Sequence, residues 1–226
     1  MTNMKIIPEI QQLVAGHIQD AAAKLSADEL KAAIEEALGG RYSKDRPRKV
    51  VADLAGNGAQ YEWDLAAVAG WQDGFSQIVA IEYPQGQRPP ALLESGDWEN
   101  YDSPTARSLR FRFALASGKT TRVTFTAPHA LDASSMPDAD FYSVGALAAS
   151  LAARKLAAVY TQIGDSSLAA DTVNYRTKSQ EYLALAKRLE QDYANLLGTD
   201  PERSAPAASR TAAWIGDTAG GDRLTH

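Results

Sequence analysis

Few residues in this sequence could carry reaction chemistry. The 226-residue chain has no cysteine and only three histidines, His17, His129 and His226. Without cysteine there is no thiolate nucleophile, no thiolate metal ligand and no disulfide. His129 follows Pro128 in what reads as a turn after a strand, and no serine and acid accompany it in an order that assembles a triad. Asp132, Asp138 and Asp140 lie close together, but in a linker, where acids serve as turn and helix-cap residues more readily than as a cation site. Gly56-Asn57-Gly58 superficially suggests a phosphate loop, yet the rest of the glycine fingerprint is missing and no helix follows directly. The residues therefore point to no catalytic group, no metal, no cofactor and no enzyme. Paired carboxylates could still do acid–base work, but nothing in the sequence selects a pair.

Charge is more informative. Lys and Arg number 23 against 28 Asp and Glu, a net charge of −5, which disfavours a duplex-binding basic face. The run Arg41 to Lys49, RYSKDRPRK, is locally basic. It reads either as a solvated connector in which Pro47 ends helical structure, or as an electropositive loop for an acidic neighbour or DNA phosphate, of which the chain's overall acidity favours the first. A second group, Arg110, Arg112 and Arg122, falls on outward positions of alternating segments and predicts a basic stripe on one sheet face. Such a stripe is usually a solvated face, but arginine is enriched at subunit contacts. Arg41, Arg46, Arg48, Arg110, Arg112 and Arg122 are thus the candidate subunit-interface residues.

The elements that must position these groups follow from periodicity. Residues 6–24 repeat Ile10, Leu13, Val14, His17, Ile18 and Ala21 at helical spacing. Ser26-Ala27-Asp28-Glu29 forms a capping box for a second helix bearing Leu30, Ile34, Ala37 and Leu38, expected to stop at Gly39-Gly40. Strands are expected at 50–54 and 60–63, joined as a hairpin by Asn57-Gly58, and at 78–83. Residues 85–104 read as a long loop. The clearest hairpin is 108–126: Leu109, Phe111, Phe113 and Leu115 alternate inward, Ser117-Gly118 turns the chain, and Val123 and Phe125 return. Two long helices follow, 141–163 and 175–197, capped by Gly164 and Gly198 and paired as a hairpin. Gly145, Ala149, Ala153 and Ala157 would let a neighbour approach the first closely, and Leu151, Leu156, Leu189 and Leu196 are expected to be buried.

The predicted fold class is α+β. Residues 1–40 and 137–198 form one helical core, 41–136 are an inserted β-rich region, and 199–226 are an extended tail. No stretch approaches the 18 apolar residues of a membrane span, and Met1 to Ala15 lack the sustained apolar core of a signal peptide, so synthesis in the cytoplasm is expected. The tail, rich in Ala, Ser, Pro, Gly and Asp, cannot bury enough surface to fold alone. Its one apolar pair, Trp214-Ile215, flanked by Arg210 and Arg223, makes these four the candidate partner-binding residues, with an inert end as the alternative.

This arrangement resembles the head–tail connector (adaptor, or head-completion) proteins of tailed bacteriophages. The likeness spans about 37–197. It is carried by Ala37-Leu38 with Arg41 to Arg48, then Val51-Ala52-Asp53, Gly56-Asn57-Gly58 and Trp71 with Gly74-Phe75-Ser76. Ile81-Glu82-Tyr83-Pro84, Thr126-Ala127-Pro128-His129, the small-residue helix from Ala146 and the row Tyr175, Ser179, Tyr182, Leu185-Ala186, Leu189 complete it. The resemblance implies a homo-oligomeric ring, commonly of twelve copies, beneath the portal protein of a DNA-filled capsid. It also implies a channel through which genomic DNA passes without sequence-specific binding, a downstream neck or tail protein as second partner, no membrane, and terminal segments that reach the portal. The location implied is the virion neck, after synthesis in the host cytoplasm. Two alternatives remain at this point: a tail-side neck or tail-terminator ring, commonly sixfold, and a soluble cytoplasmic ligand-binding or enzyme module that uses the β region as a cleft.

Overall fold

Apolar residues three and four apart draw the first helices together. The structure, a computed structural model, describes residues 7–102, 107–163 and 175–198. Helix α1 (Ile7–Ile18) buries Ile10, Val14 and Ile18. It is shorter than its pattern, because φ turns positive at Gln19 (+43°) and a tighter 3-10 turn, Gln19–Lys24, follows. His17, expected on the apolar face, is exposed. Ser26 caps α2 (Ala27–Ala37) as its sequence indicates. Its Oγ accepts from the Glu29 N–H (3.2 Å), and its own N–H donates to the Glu29 carboxylate (2.7 Å), which holds that carboxyl below the usual range.

The diglycine does not stop this helix. The chain continues through a π turn, Leu38–Tyr42, and a further turn, α3 (Ser43–Asp45). Leu30, Ile34, Leu38 and Tyr42, each four residues from the last, form one buried row across it. The helical path ends at Arg46 (φ −140°, ψ 70°), pushed out of the α region by the ring of Pro47.

After the β region come α4 (Phe141–Ile163) and α5 (Tyr175–Leu197), with the bounds expected of them. Gly164 lies outside the described residues; Gly198 ends α5 with φ +73°. Helix α4 is central, packed against α1, α2 and α5, and every residue from 143 to 150 is buried. Over that stretch the helix is covered on all sides and carries no charged residue, and its small residues let its neighbours approach. Gly145 marks the tightest approach: a Cβ there would stand 2.2 Å from Cδ2 of Leu13 on α1.

On α5, Ser179, Ala186, Leu189 and Tyr193 are buried, and Leu156 on α4 lies opposite in the same core. Two of the four core leucines depart from expectation. Leu151 is only partly buried, and Leu196 is 60% exposed. The heptad row slips because a straight helix has 3.6 residues per turn, so that after Tyr193 it is Leu197, not Leu196, that packs on the core.

Between α3 and α4 lie six strands, β1 (Arg48–Ala55), β2 (Glu62–Asp64), β3 (Ile78–Glu82), β4 (Trp98–Asp102), β5 (Arg107–Phe111) and β6 (Thr120–Ala127). They make two antiparallel three-stranded sheets, ordered β1-β6-β3 and β2-β5-β4. This arrangement overturns both expected hairpins. β1 and β2 belong to different sheets, and so do β5 and β6. Each presumed turn is a crossing between layers, and the two crossings hydrogen-bond to each other, Gly56 N–H to Lys119 O and Gly58 N–H to Leu115 O, both at 2.8 Å. Gly56 is required here, since a Cβ would lie 2.4 Å from the Ala116 carbonyl oxygen.

The physical reason is burial. A two-stranded ribbon would leave Leu109, Phe111, Val123 and Phe125 on one uncovered face, whereas two layers enclose them with Leu65, Ile81 and Leu115 in a shared core. Trp63 meets Phe111 edge-on at 5.3 Å. The expected loop 85–104 also holds structure: β4 lies within it, and Ala91 to Leu93 pair with the outer edge of β3.

The two leucines of α5 give a direct check. Leu189→Ala should lower unfolding free energy by about 2–5 kcal/mol, while Leu196→Ala should stay within about 0.5 kcal/mol of the parent, both read from urea denaturation.

Candidate functional site

Tyr42, Ser43, His129 and Asp140 meet where the helical core joins the β layers, and all four are buried. The row that carries Leu38 inward brings Tyr42 with it. From the other side, the connection after β6 is held down by Ala133 and Met136, which are buried in the helical cluster. The Tyr42 hydroxyl donates to Asp140 Oδ2 (2.7 Å), and the Arg46 guanidinium pairs with Oδ1. Burial, then the bond to Asp140, pushes the Tyr42 phenol far above its ordinary range, so it keeps its proton and remains a donor.

Ser43 Oγ donates to the Leu38 carbonyl (2.5 Å) and accepts the His129 backbone N–H (2.8 Å). The His129 ring lies 4.8 Å from that of Tyr42. Its Nε2 is 2.9 Å from the Arg46 carbonyl, and its Nδ1 faces the Ser135 carbonyl and hydroxyl at 3.0 and 3.1 Å. Nearby, Tyr193 of α5 donates to Asp45 (2.8 Å), and burial and that bond raise its phenol too.

Ser43, His129 and Asp140 have the residue types of a catalytic triad but not its geometry. The serine bonds the histidine's main chain, the ring nitrogens face carbonyl and hydroxyl groups of the chain, and the carboxylate is occupied by Tyr42 and Arg46. Nothing here activates a nucleophile. The cluster instead fastens segments far apart in sequence. Among the described residues no group of three or more His, Asp or Glu could hold a metal, and no helix is long and apolar enough to cross a membrane.

The candidate interface arginines are scattered, not gathered. Arg41 spans Asp45 (3.3 Å) and Glu190, with its guanidinium 5.1 Å from the Tyr193 ring. Arg46 is held by Asp140. Arg110 pairs with Glu62 and Glu99 and stacks 3.5 Å over Tyr101. Arg122 grips Asp53 through two bonds of 2.9 and 3.0 Å. The predicted stripe does not form: Arg110 is on one sheet, Arg122 on the other, and Arg112 lies beyond the end of β5. The cause is the layer crossing described above.

Arg48 and Arg112 make no ion pair among the described residues, and Arg48 Nε is buried without a hydrogen-bond partner. Arg112 opens onto a small polar cavity of about 210 Å³ with Gly96, Trp98 and Arg110. Arg210, Trp214, Ile215 and Arg223 lie outside the described residues.

Sequence reasoning missed Tyr42, Ser43 and Asp140 as a buried hub. One signal was present: Tyr42 continues the row of Leu30, Ile34 and Leu38 once the diglycine is not taken as a stop. Asp140 gave no such sign, because nothing local separates a buried acid from a capping one.

No protein-family model matches the sequence, and no curated protein matches it. Solved structures similar to it include the neck of an empty gene transfer agent (GTA) particle computed with C6 symmetry, at 13% identity and TM-score 0.29, covering 79% of this chain and 88% of that one. The neck of a native GTA particle computed with C12 symmetry follows at 17% identity and TM-score 0.28, covering 79% and 91%. The virion of a native GTA particle is similar at 15% identity and TM-score 0.29, covering 79% and 89%. Superposition this loose assigns the chain neither a fold nor a role.

The junction can be tested by removing its acid. Asp140→Ala leaves the Tyr42 hydroxyl and Arg46 without their partner and should cost about 3 kcal/mol. Tyr42→Phe, which leaves the Arg46 pair intact, should cost about 1 kcal/mol. Chemical denaturation of both variants measures the difference.

Proposed function

We propose that the chain is a structural, non-enzymatic subunit of a tailed-phage-like virion, one protomer of a head–tail connector ring that docks under the portal, extends the DNA channel and joins head to tail. The observation that supports this best is the single bundle in which α4 packs against both N-terminal helices and α5, with the β layers inserted between them. That is the arrangement from which the connector resemblance in the sequence is drawn. The similar solved structures come from gene transfer agent necks and a virion, which at their TM-scores add no weight.

The chain divides accordingly into a helical core (1–40 and 137–198, joined by the turns through Asp45 and by buried Ala133 and Met136), a β insertion (the rest of 41–136) and a partner-binding tail (199–226). Its partners are copies of itself, commonly twelve, then the portal and a downstream neck or tail protein. An acidic protomer suits a channel, because a lining that neutralised phosphates would hold the duplex and slow its passage. Of the six candidate interface arginines, Arg48 and Arg112 have no ion pair among the described residues and are the ones left for a neighbouring copy. Arg210, Trp214, Ile215 and Arg223 anchor the tail on the portal, where weak single sites are multiplied by the ring.

Two measurements test this. Electron microscopy of the assembled particle should find the protein as a closed ring at the neck, and a sixfold ring on the tail side would move the assignment to a tail-terminator. In capsid attachment, the 1–198 truncation and Trp214→Ala should bind markedly less than the full chain; equal particle completion by all three would show the tail to be an inert end.

A further inference from the structure

An open groove runs between α1, α4 and α5, lined mainly by Leu13, His17, Tyr142, Ala146, Asp192 and Leu196 around a cavity of about 410 Å³. Its floor is apolar, and its rim holds two of the most exposed large side chains in the helical core, Tyr142 (62%) and Leu196 (60%). The groove exists because Gly145 admits Leu13 so closely that α1 lies low on α4, and because the 3.6-residue period leaves Leu196 beside the core, not in it. Adjacent apolar side chains left in the open on a helical surface mark a contact site.

We propose that this groove is the seat of the chain's own segment around Trp214 and Ile215 in the free subunit. Three observations select that occupant. The chain leaves α5 at the groove itself: Leu196 is on the rim, and two residues later Gly198, in the left-handed conformation (φ +73°), turns the backbone off the helix axis. The intervening length also fits. Residues 199–213 number fifteen, and a length of chain with coil statistics spans about 20 Å root-mean-square, enough to return to a groove that begins beside its origin. The tether then supplies an effective concentration of about millimolar, which favours the same chain over a second copy.

Chemistry is the third. Trp214-Ile215 is the one adjacent pair of large apolar residues after Gly198, matching the apolar floor, and Arg210 precedes it by four residues where the rim carries the Asp192 carboxylate. The groove thus shelters an indole that would otherwise stand in water. The inference concerns the isolated subunit and does not depend on the connector assignment; where that assignment holds as well, the portal must draw the pair out of the groove.

The absence of cysteine makes a cross-linking test clean. Tyr142→Cys with Ile215→Cys, in the full chain at low concentration under mild oxidation, should close a disulfide within one chain about tenfold faster than Lys119→Cys with Ile215→Cys. Both Tyr142 and Lys119 are exposed, so neither replacement disturbs a core. Adding Leu196→Glu should slow the first pair to the control rate. In the otherwise unmodified protein, the same substitution should speed tryptic cleavage after Arg210 severalfold. Equal rates for the two cysteine pairs, or no response of cleavage to Leu196→Glu, would show the groove empty of the tail. Disulfides formed only between chains would assign it to a second copy and overturn the proposal.

Discussion

The carboxylate of Asp140 is the constraint on which the rest of the molecule turns. An isolated charge in the interior costs several kcal/mol, so a side chain only 3% exposed must find partners of the right kind in the right places. It finds one in the Tyr42 hydroxyl and another in the Arg46 guanidinium, and both come from the extension of α2. Their positions are coupled: Tyr42 is delivered by the π turn, and Arg46 by the break that Pro47 enforces four residues later. From there β1 must begin, and from Asp140 α4 must begin. One buried acid therefore sets where the β layers enter and leave the helical core, and Ser43 with His129 repeats the tie through the main chain.

The charge distribution follows from the two-layer fold. Arg110 and Arg122 meet acids on the neighbouring strand of their own sheets, Glu62 and Asp53, at paired register positions. Exposed pairs of this sort add little stability, but they fix where each guanidinium points and remove it from the set of groups free to meet a partner. The acids are likewise engaged: Arg122 holds the Asp53 carboxyl, and Arg107 that of Asp102, below the usual range. On the two sheets, therefore, most of the guanidinium groups are held by acids of the chain itself.

Helices were largely legible in the sequence, and β topology was not. The bounds of α4 and α5 and the Ser26 cap follow from periodicity and local chemistry, because a helix satisfies its hydrogen bonds within itself. Strand pairing is decided at a distance. Leu109, Phe111, Val123 and Phe125 were correctly placed on inward faces, yet the alternation that reveals a face does not say which sheet the strand joins. β4 escaped notice for a related reason: as an edge strand it exposes Glu99, Asn100, Tyr101 and Asp102, and a strand without a buried face has no period to detect. The hub at Asp140 lies further from reach, since its meaning depends on two groups about a hundred residues upstream.

The placement of α4 also bears on how the chain is made. The helix against which α1 and α2 both pack begins at residue 141, roughly a hundred residues after α2 ends. At ordinary elongation rates the ribosome needs about 5–20 s to span that interval. For much of it Ile10, Val14, Ile34 and Leu38 lack the helix that covers them, while the β layers, whose own strands pair across the insertion, are still incomplete. A nascent chain in this condition holds the apolar faces of its first two helices open for seconds, the kind of exposure that makes partly made chains prone to aggregate.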